Sequence, residues 1–154
     1  MTAITPGIVD HDKLAPLASR FLDVASLAWQ QTRYEGIEAK TLLADPATGL
    51  LTTLMKMEAG ARLPDHEHVD VEQTWVIEGS LECAEGQCTA GNFVWRPAGS
   101  RHEAWAGVNG ALLLGMFQMP NRFFEDGKQL DFLGEDWEEK WATVQARQEQ
   151  AKFA

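Results

Sequence analysis

Cysteine is scarce in this chain, which has 154 residues and only Cys83 and Cys88. Two cysteines cannot build the disulfide framework that holds small secreted domains together. We therefore expect free thiols in a reducing compartment, the cytoplasm. The stretch LECAEGQC also permits a second interpretation. If Glu85 and Gly86 form a two-residue hairpin loop, the two cysteines face each other across the strands and form a redox pair.

Basic clusters and long apolar runs are also missing. The formal net charge is −10, and the 13 lysines and arginines form no run, which argues against a nucleic-acid partner because phosphate binding needs a basic surface. The longest apolar run, ALLLGMF at 111–117, is far shorter than the roughly 20 residues that span a bilayer. The start, MTAITPGIVDHDK, has no secretory pattern. The sequence predicts neither a membrane segment nor a secretory route.

A repeating pattern of short β-rich segments and turn signals is present instead. Strands separated by Gly, Pro, Asn and Asp at intervals of about ten residues are typical of an antiparallel sandwich or barrel. The predicted strands are 36–44, 50–57, 72–77, 93–96, 102–106 and 111–119, with turns between them that include 107–110.

The chain is predicted to form one domain of three parts, since its length suits a single hydrophobic core. These parts are an N-terminal extension (1–34), a barrel (35–120) and a C-terminal extension (121–154). In the last part, Asp136 and Glu139 form a capping-box pattern, and Trp137, Trp141 and Val144 recur at helical spacing. The sequence predicts a C-terminal helix that packs through this stripe.

Two of the four histidines lie in the stretch DHEHVDVEQTW. Residues i and i+2 share a face on a strand but not on a helix, and Pro64 before and QTWVI after favour a strand. His66 and His68 then point the same way, and the parity of the following strand turns Glu72 toward them. Burying a carboxylate and two imidazoles without partners is costly. A divalent metal ion satisfies all three, because this is the donor set of zinc and non-haem iron sites.

A third histidine follows a predicted turn in GNFVWRPAGSRHEAWA, residues 91–106. His102 begins a strand there and supplies a fourth donor from a distant part of the chain. Together the two stretches resemble the cupin family. The first cupin motif is matched by Gly60, His66, His68, Glu72 and Gly79. The second is matched by Gly91, Pro97, Gly99 and His102, with Ala106 in place of the final Asn.

The resemblance implies an all-β fold, a single RmlC-like jelly-roll β-barrel with a C-terminal helix. It also implies one divalent metal ion per chain, held by His66, His68, Glu72 and His102 in the barrel mouth. Fe(II) is the first choice, and Zn, Mn and Ni are alternatives. Cupin barrels often pair, so the resemblance further implies a homodimer.

Two subgroups of cupins look similar over longer stretches. The run from Trp29 to VIEGSLE resembles the cupin domain of ChrR-type anti-sigma factors, and PNRFFEDGKQLDFLGEDWEEKW resembles the acetylacetone-cleaving and dihydroxyacetophenone dioxygenases. These resemblances imply a non-haem Fe(II) dioxygenase that cleaves a small diketone or aromatic ketone. A non-catalytic metal-binding sensor or small-ligand-binding cupin, and a metal-dependent isomerase or decarboxylase, are the alternatives.

Strand parity also predicts the lining of the pocket. Thr74, Val76 and Ala104 share the parity of the metal ligands and are candidate substrate contacts. Arg96 is a fourth candidate, because an inward guanidinium could hold a carboxylate or enolate. Trp75 and Trp105 fall on the opposite parity and are expected in an intersheet core.

Overall fold

The structure, a computed structural model, describes residues 3–133 and 137–153, with the side chains of 129–133, 137 and 138 left aside. Ten strands and one α-helix are present in these ranges. In chain order they are β1 (Gln30–Gln31), β2 (Ile37–Ala44), β3 (Leu50–Met57), β4 (Arg62–His68), β5 (Glu72–Cys83), β6 (Gly86–Thr89), β7 (Phe93–Arg96), β8 (Arg101–Gln118), β9 (Asn121–Glu125), β10 (Lys128–Leu133) and α1 (Trp137–Ala151).

The strands form one curled antiparallel sheet, a half-barrel. Its main path runs β1-β2-β3-β8-β4-β9-β10, while β5 pairs with β6, β7 and β8. The strand β8 is central because β3, β4 and β5 all pair with it. The prediction of an all-β barrel with a C-terminal helix is confirmed. The sheet continues past residue 120 through β9 and β10, and the boundaries at 34 and 120 remain predictions.

The hydrophobic core lies on the concave side of the sheet. Burial alternates along the first half of β5 and the start of β8, as expected for strands with one covered face. Ile37 and Val76 are fully buried, and Met57 is 2 % exposed. Further core residues are Leu81, Ala104, Ala106, Ala111 and Leu113. The inward parity predicted for Val76 and Ala104 is therefore observed.

The turn predicted at 107–110 is a bulge inside one continuous strand. Ala106 pairs with Leu81 and Ala111 pairs with Gly79, so four residues of β8 have no counterpart on β5 in this register. Val108, at the centre of the bulge, is 90 % exposed. A Cβ at Gly79 would overlap the Gly110 carbonyl, so the bulge requires glycine at residue 79.

The hairpin register predicted for the cysteines is wrong. Cys83 pairs with Gly86, and Cys88 pairs with Leu81, so the loop is Ala84–Glu85. The thiols therefore lie diagonally on one face of the hairpin. Diagonal neighbours have Cα atoms on the order of 7–8 Å apart, beyond the roughly 7 Å that a disulfide bridges without backbone movement. Both cysteines are free.

The aromatic residues expected in an intersheet core lie outside it. Trp75 is 46 % exposed and pairs with the exposed Phe93. Trp105 is half-buried and donates from Nε1 to Glu82 Oε2 at 3.0 Å. The expectation was wrong because the half-barrel has one covered face, and the opposite parity faces solvent.

The C-terminal helix is confirmed as α1. Val144 is 2 % exposed, and the Trp141 ring packs on the backbone of Gly99. The capping pair includes Asp136, which lies outside the described residues. Before the sheet, two short 3-10 turns occupy Val9–Lys13 and Val24–Ser26. Within the described ranges, no helix combines the length and apolar character required to cross a membrane.

Candidate metal centre

Four side chains from three strands converge on the concave side of the sheet. His66 and His68 are on β4, Glu72 begins β5 and His102 lies near the start of β8. Each is buried, between 3 % and 9 % exposed. Their potential ligand atoms all lie within 4.8 Å of one another. The strand register explains this convergence, because His66 and His102 are directly opposed on β4 and β8.

The ring nitrogens of two histidines are oriented by backbone carbonyls. His66 Nδ1 donates to the Pro64 carbonyl at 2.7 Å, and His102 Nδ1 donates to the Glu103 carbonyl at 3.3 Å. Because a carbonyl accepts only, Nδ1 carries the proton whenever either ring is neutral, and Nε2 then offers its lone pair to a metal ion. His68 Nε2 points to the same space, 3.2 Å from His102 Nε2. Its Nδ1 is buried without a partner in the described part of the chain.

Burial keeps the first imidazole neutral. It lowers the pKa of His66 to about 3, with a further lowering from the neighbouring His68 and His102. A neutral imidazole is the metal-binding form, so His66 could bind an ion at neutral pH without first losing a proton.

The carboxylate of Glu72 has two distinct environments. Its Oε2 faces His68 Nε2 and lies 3.2 Å from His102 Nε2. Its Oε1 accepts from Thr74 Oγ1 at 3.1 Å and contacts Arg96 Nη1 at 3.5 Å. Burial raises the pKa of Glu72, but the hydrogen bonds from His102 and His68 outweigh burial and hold this pKa well below its usual value.

The four side chains fit a divalent metal ion. Three imidazole nitrogens and one carboxylate oxygen suit zinc or iron, and their polar atoms would be costly to bury without a shared partner. His66, His68, Glu72 and His102 could therefore hold one ion. The identity of that ion remains a prediction.

These four potential ligands lie in the wall of a cavity of about 330 Å³. Thr74 and Ala104 also line this cavity, whereas Val76 lies in the core beside it. Arg96 is 6 % exposed and lies behind Glu72, outside the lining. The apolar wall includes Leu51, Met55, Leu63, Leu81, Leu113 and Phe117.

Other lining residues come from segments that the sequence had placed outside the barrel. Arg33 and Tyr34 precede β2, and Asn121 and Phe123 lie on β9. The Phe123 ring stacks on His66, with 5.2 Å between ring centroids. Arg33 Nε donates to the Tyr34 hydroxyl at 3.0 Å. The alternation of Asn121 and Phe123 after Pro120 is a strand signal that could have pointed to β9, but Arg33 and Tyr34 carry no such signal.

The comparison with known proteins identifies the family. The profile of the ChrR cupin-like domain matches residues 18–120. No curated protein sequence matches this chain.

Several solved structures share the fold. One is a protein from Methylibium petroleiphilum PM1 assigned as an acetylacetone dioxygenase, with a TM-score of 0.71, 20% identity and coverage of 84% of this chain and 98% of that one. The acetylacetone dioxygenase of Acinetobacter johnsonii gives 0.65 and 20%, over 86% and 91% of the two chains. ChrR, in complex with SigE from Rhodobacter sphaeroides, gives 0.54 and 19%, over 62% and 51%. These matches confirm the predicted cupin-type barrel. At such low sequence identity they are evidence for the fold and not for the function.

Proposed function

This chain belongs to the ChrR cupin-like domain family, and we propose that it is a non-haem Fe(II) dioxygenase that cleaves a small diketone or aromatic ketone. The observation that carries this proposal is the position of the four potential ligands in the wall of an apolar cavity of about 330 Å³. That volume lies at the small end of ligand pockets. The substrate is therefore small and mostly apolar, with a polar end directed to the metal ligands.

The donor set supports iron chemistry. Four protein ligands leave up to two positions open on an octahedral ion, enough for a chelating substrate or for substrate and oxygen in turn. When bound here, Fe(II) supplies a Lewis acid and a site for activating dioxygen. The solved acetylacetone dioxygenase that shares this fold supports the choice of reaction.

The side chains around the site would exclude water and orient the carboxylate of Glu72. The apolar wall excludes water, and the Phe123 ring limits the space beside His66. Thr74 Oγ1 donates to Glu72 Oε1, so this hydroxyl holds the carboxylate in one orientation while Oε2 remains directed to the histidines.

Oxygen uptake tests this proposal directly. The protein would be stripped with a chelator and reloaded anaerobically with Fe(II). Its oxygen consumption would then be followed with a panel of β-diketones and hydroxyacetophenones. We expect substrate-dependent uptake that is lost in His102→Ala and kept in His11→Ala. Fe(II)-loaded protein that consumes no oxygen with any member of the panel contradicts the proposal. Product formation without oxygen would favour the isomerase or decarboxylase alternative.

The second candidate is a non-catalytic metal-binding sensor, supported by the fold shared with ChrR. Zinc suits the same donors. The diagonal placement of Cys83 and Cys88 weighs against a disulfide switch in this fold. A change in thermal stability on oxidation that disappears when both cysteines are replaced would favour the sensor. The homodimer and the cytoplasmic location remain predictions.

A further inference from the structure

A second cavity lies beside the first, at the β6–β7 edge of the sheet. Its volume is about 380 Å³. The wall includes Cys83, Cys88, Trp95, Arg96 and Ser100. Leu81 lines both cavities, while Arg96 lines only the second and contacts Glu72, which lines only the first.

The Arg96 side chain is largely buried and has one long ion-pair contact. Its side chain is 7 % exposed, and within the described part of the chain its polar contact is Glu72 Oε1 at 3.5 Å, the long limit for a hydrogen bond. A guanidinium carries five N–H donors. Glu72 is itself shared, because its Oε2 faces His68 and His102. No Arg96 nitrogen is among the fully buried, partnerless side-chain atoms of the described residues, so the donors that Glu72 does not take are open to the second cavity and available to an acceptor there.

The other lining groups suit an anion. Ser100 Oγ is buried without a partner among the described residues, so it is a neutral group free to donate. Burial raises the pKa of the Cys88 thiol, although the positive charge of Arg96 opposes this, so Cys88 stays uncharged at neutral pH. Glu85, the carboxylate of the described lining, is exposed on the hairpin loop. Arg96 is thus the cation in the described lining of this cavity, and it lies at the buried end.

We propose that the second cavity binds a small organic monocarboxylate, with Arg96 as the group that recognises it. A planar guanidinium pairs with a carboxylate through two parallel hydrogen bonds, and Ser100 Oγ can add a third donor. Phe93 and Trp95 line the same cavity and offer aromatic contact to an apolar body. One guanidinium neutralises one negative charge. A monoanion is therefore favoured over phosphate, above all in a chain of net charge −10.

Benzoate is a suitable probe, and benzyl alcohol is its uncharged counterpart. The two thiols report on occupancy because both line this cavity. We expect saturating benzoate to slow the reaction of Cys83 and Cys88 with N-ethylmaleimide at least fivefold, and benzyl alcohol to have no effect. The protection should persist after the metal is removed by a chelator, which separates this site from carboxylate binding at the metal. This result does not depend on the proposed function.

Variants locate the site. Arg96→Gln should abolish the protection, and Arg96→Lys should keep part of it. Arg62→Gln should keep all of it, because Arg62 is exposed and paired with Glu103. A titration of tryptophan fluorescence, compared with Trp95→Phe, gives a second readout. Equal labelling rates with and without tens of millimolar benzoate, equal protection by benzyl alcohol, or full protection in folded Arg96→Gln would each overturn the proposal. If Arg96→Gln does not fold, the comparison of benzoate with benzyl alcohol on the unmodified protein decides.

Discussion

His66 and His102 occupy opposed positions on β4 and β8, with 4.4 Å between their ring centroids. The two residues are 36 positions apart in the sequence and contribute donors to one site. Replacing either by alanine should therefore lower metal affinity by at least 100-fold, more than the loss typical of indirect contacts. Elemental analysis of protein purified without a metal-affinity step gives the measurement. His11→Ala, a histidine outside the cluster, should keep about one ion per chain, and retention of metal by both cluster variants would exclude this site.

The free energy of unfolding of the metal-free protein should decrease as the pH is lowered, because of His66. The pKa of His66 is lowered to about 3 in the folded chain by burial, whereas an unfolded histidine titrates near 6.5. Between these values the unfolded chain binds a proton that the folded chain does not. Folded-state stability is thus complete above pH 6.5, falls by about 1.4 kcal/mol per pH unit below it, and levels off near pH 3.

Urea unfolding at several pH values measures this dependence. The difference between the unmodified chain and His66→Asn isolates the contribution of one residue from the other acid-sensitive groups. Stability curves that run parallel for the two proteins from pH 7.5 to pH 4 would show that His66 does not titrate as its burial requires.

A side chain introduced at Gly115 should narrow the first cavity. Gly115 lines the cavity and pairs with Thr53 and Thr74. A Cβ there would meet Thr53 Oγ1 at 3.6 Å, an ordinary contact. Gly115→Ala should fold and bind metal normally, whereas Gly115→Val should keep the metal and exclude the larger aromatic ketones. We expect binding of those ligands to weaken at least tenfold by calorimetry. Equal affinity in both variants would place the ligand elsewhere.

Gly99 and Gly91 form a matched pair for testing how α1 is attached. Both have positive φ, 79° and 82°, so alanine at either position costs about 1–2 kcal/mol in backbone strain. A Cβ at Gly99 also overlaps the Trp141 ring, whereas nothing lies within 4 Å at Gly91. Gly99→Ala should therefore lose about 1–3 kcal/mol more than Gly91→Ala, measured by urea unfolding. Equal losses of unfolding free energy would show that the contact between Trp141 and Gly99 does not contribute to the packing of α1.

Local sequence patterns predict part of this molecule well. The parity of HEH places His66 and His68 on one face, because strand alternation is a local property. The inward turn of Val76 and Ala104 follows for the same reason. His102 is joined to the two histidines through the resemblance to the two cupin motifs, and the pairing of β4 with β8 accounts for its position.

Long-range pairing explains what could not be predicted. Phe123 reaches His66 only because β9 pairs with β4, and no local pattern specifies that partner. The observed hairpin differs from the predicted one by one residue, because its loop is Ala84–Glu85 rather than Glu85–Gly86. Turn composition leaves this choice open. Residues 107–110 carry true turn signals, but the close approach of Gly79 to Gly110 lets one strand continue through them.

The register of the long strand β8 determines whether His102 reaches the other potential metal ligands. This strand pairs with β3, β4 and β5 and carries His102 near its first residue. A slip of one position would turn His102 to the opposite face of the sheet, while most of the backbone ladder could still form. Misaligned molecules of this kind would look folded by circular dichroism and yet fail to retain an ion. If the four side chains hold an ion, metal occupancy in a purified sample would report the fraction of chains whose strands are in register.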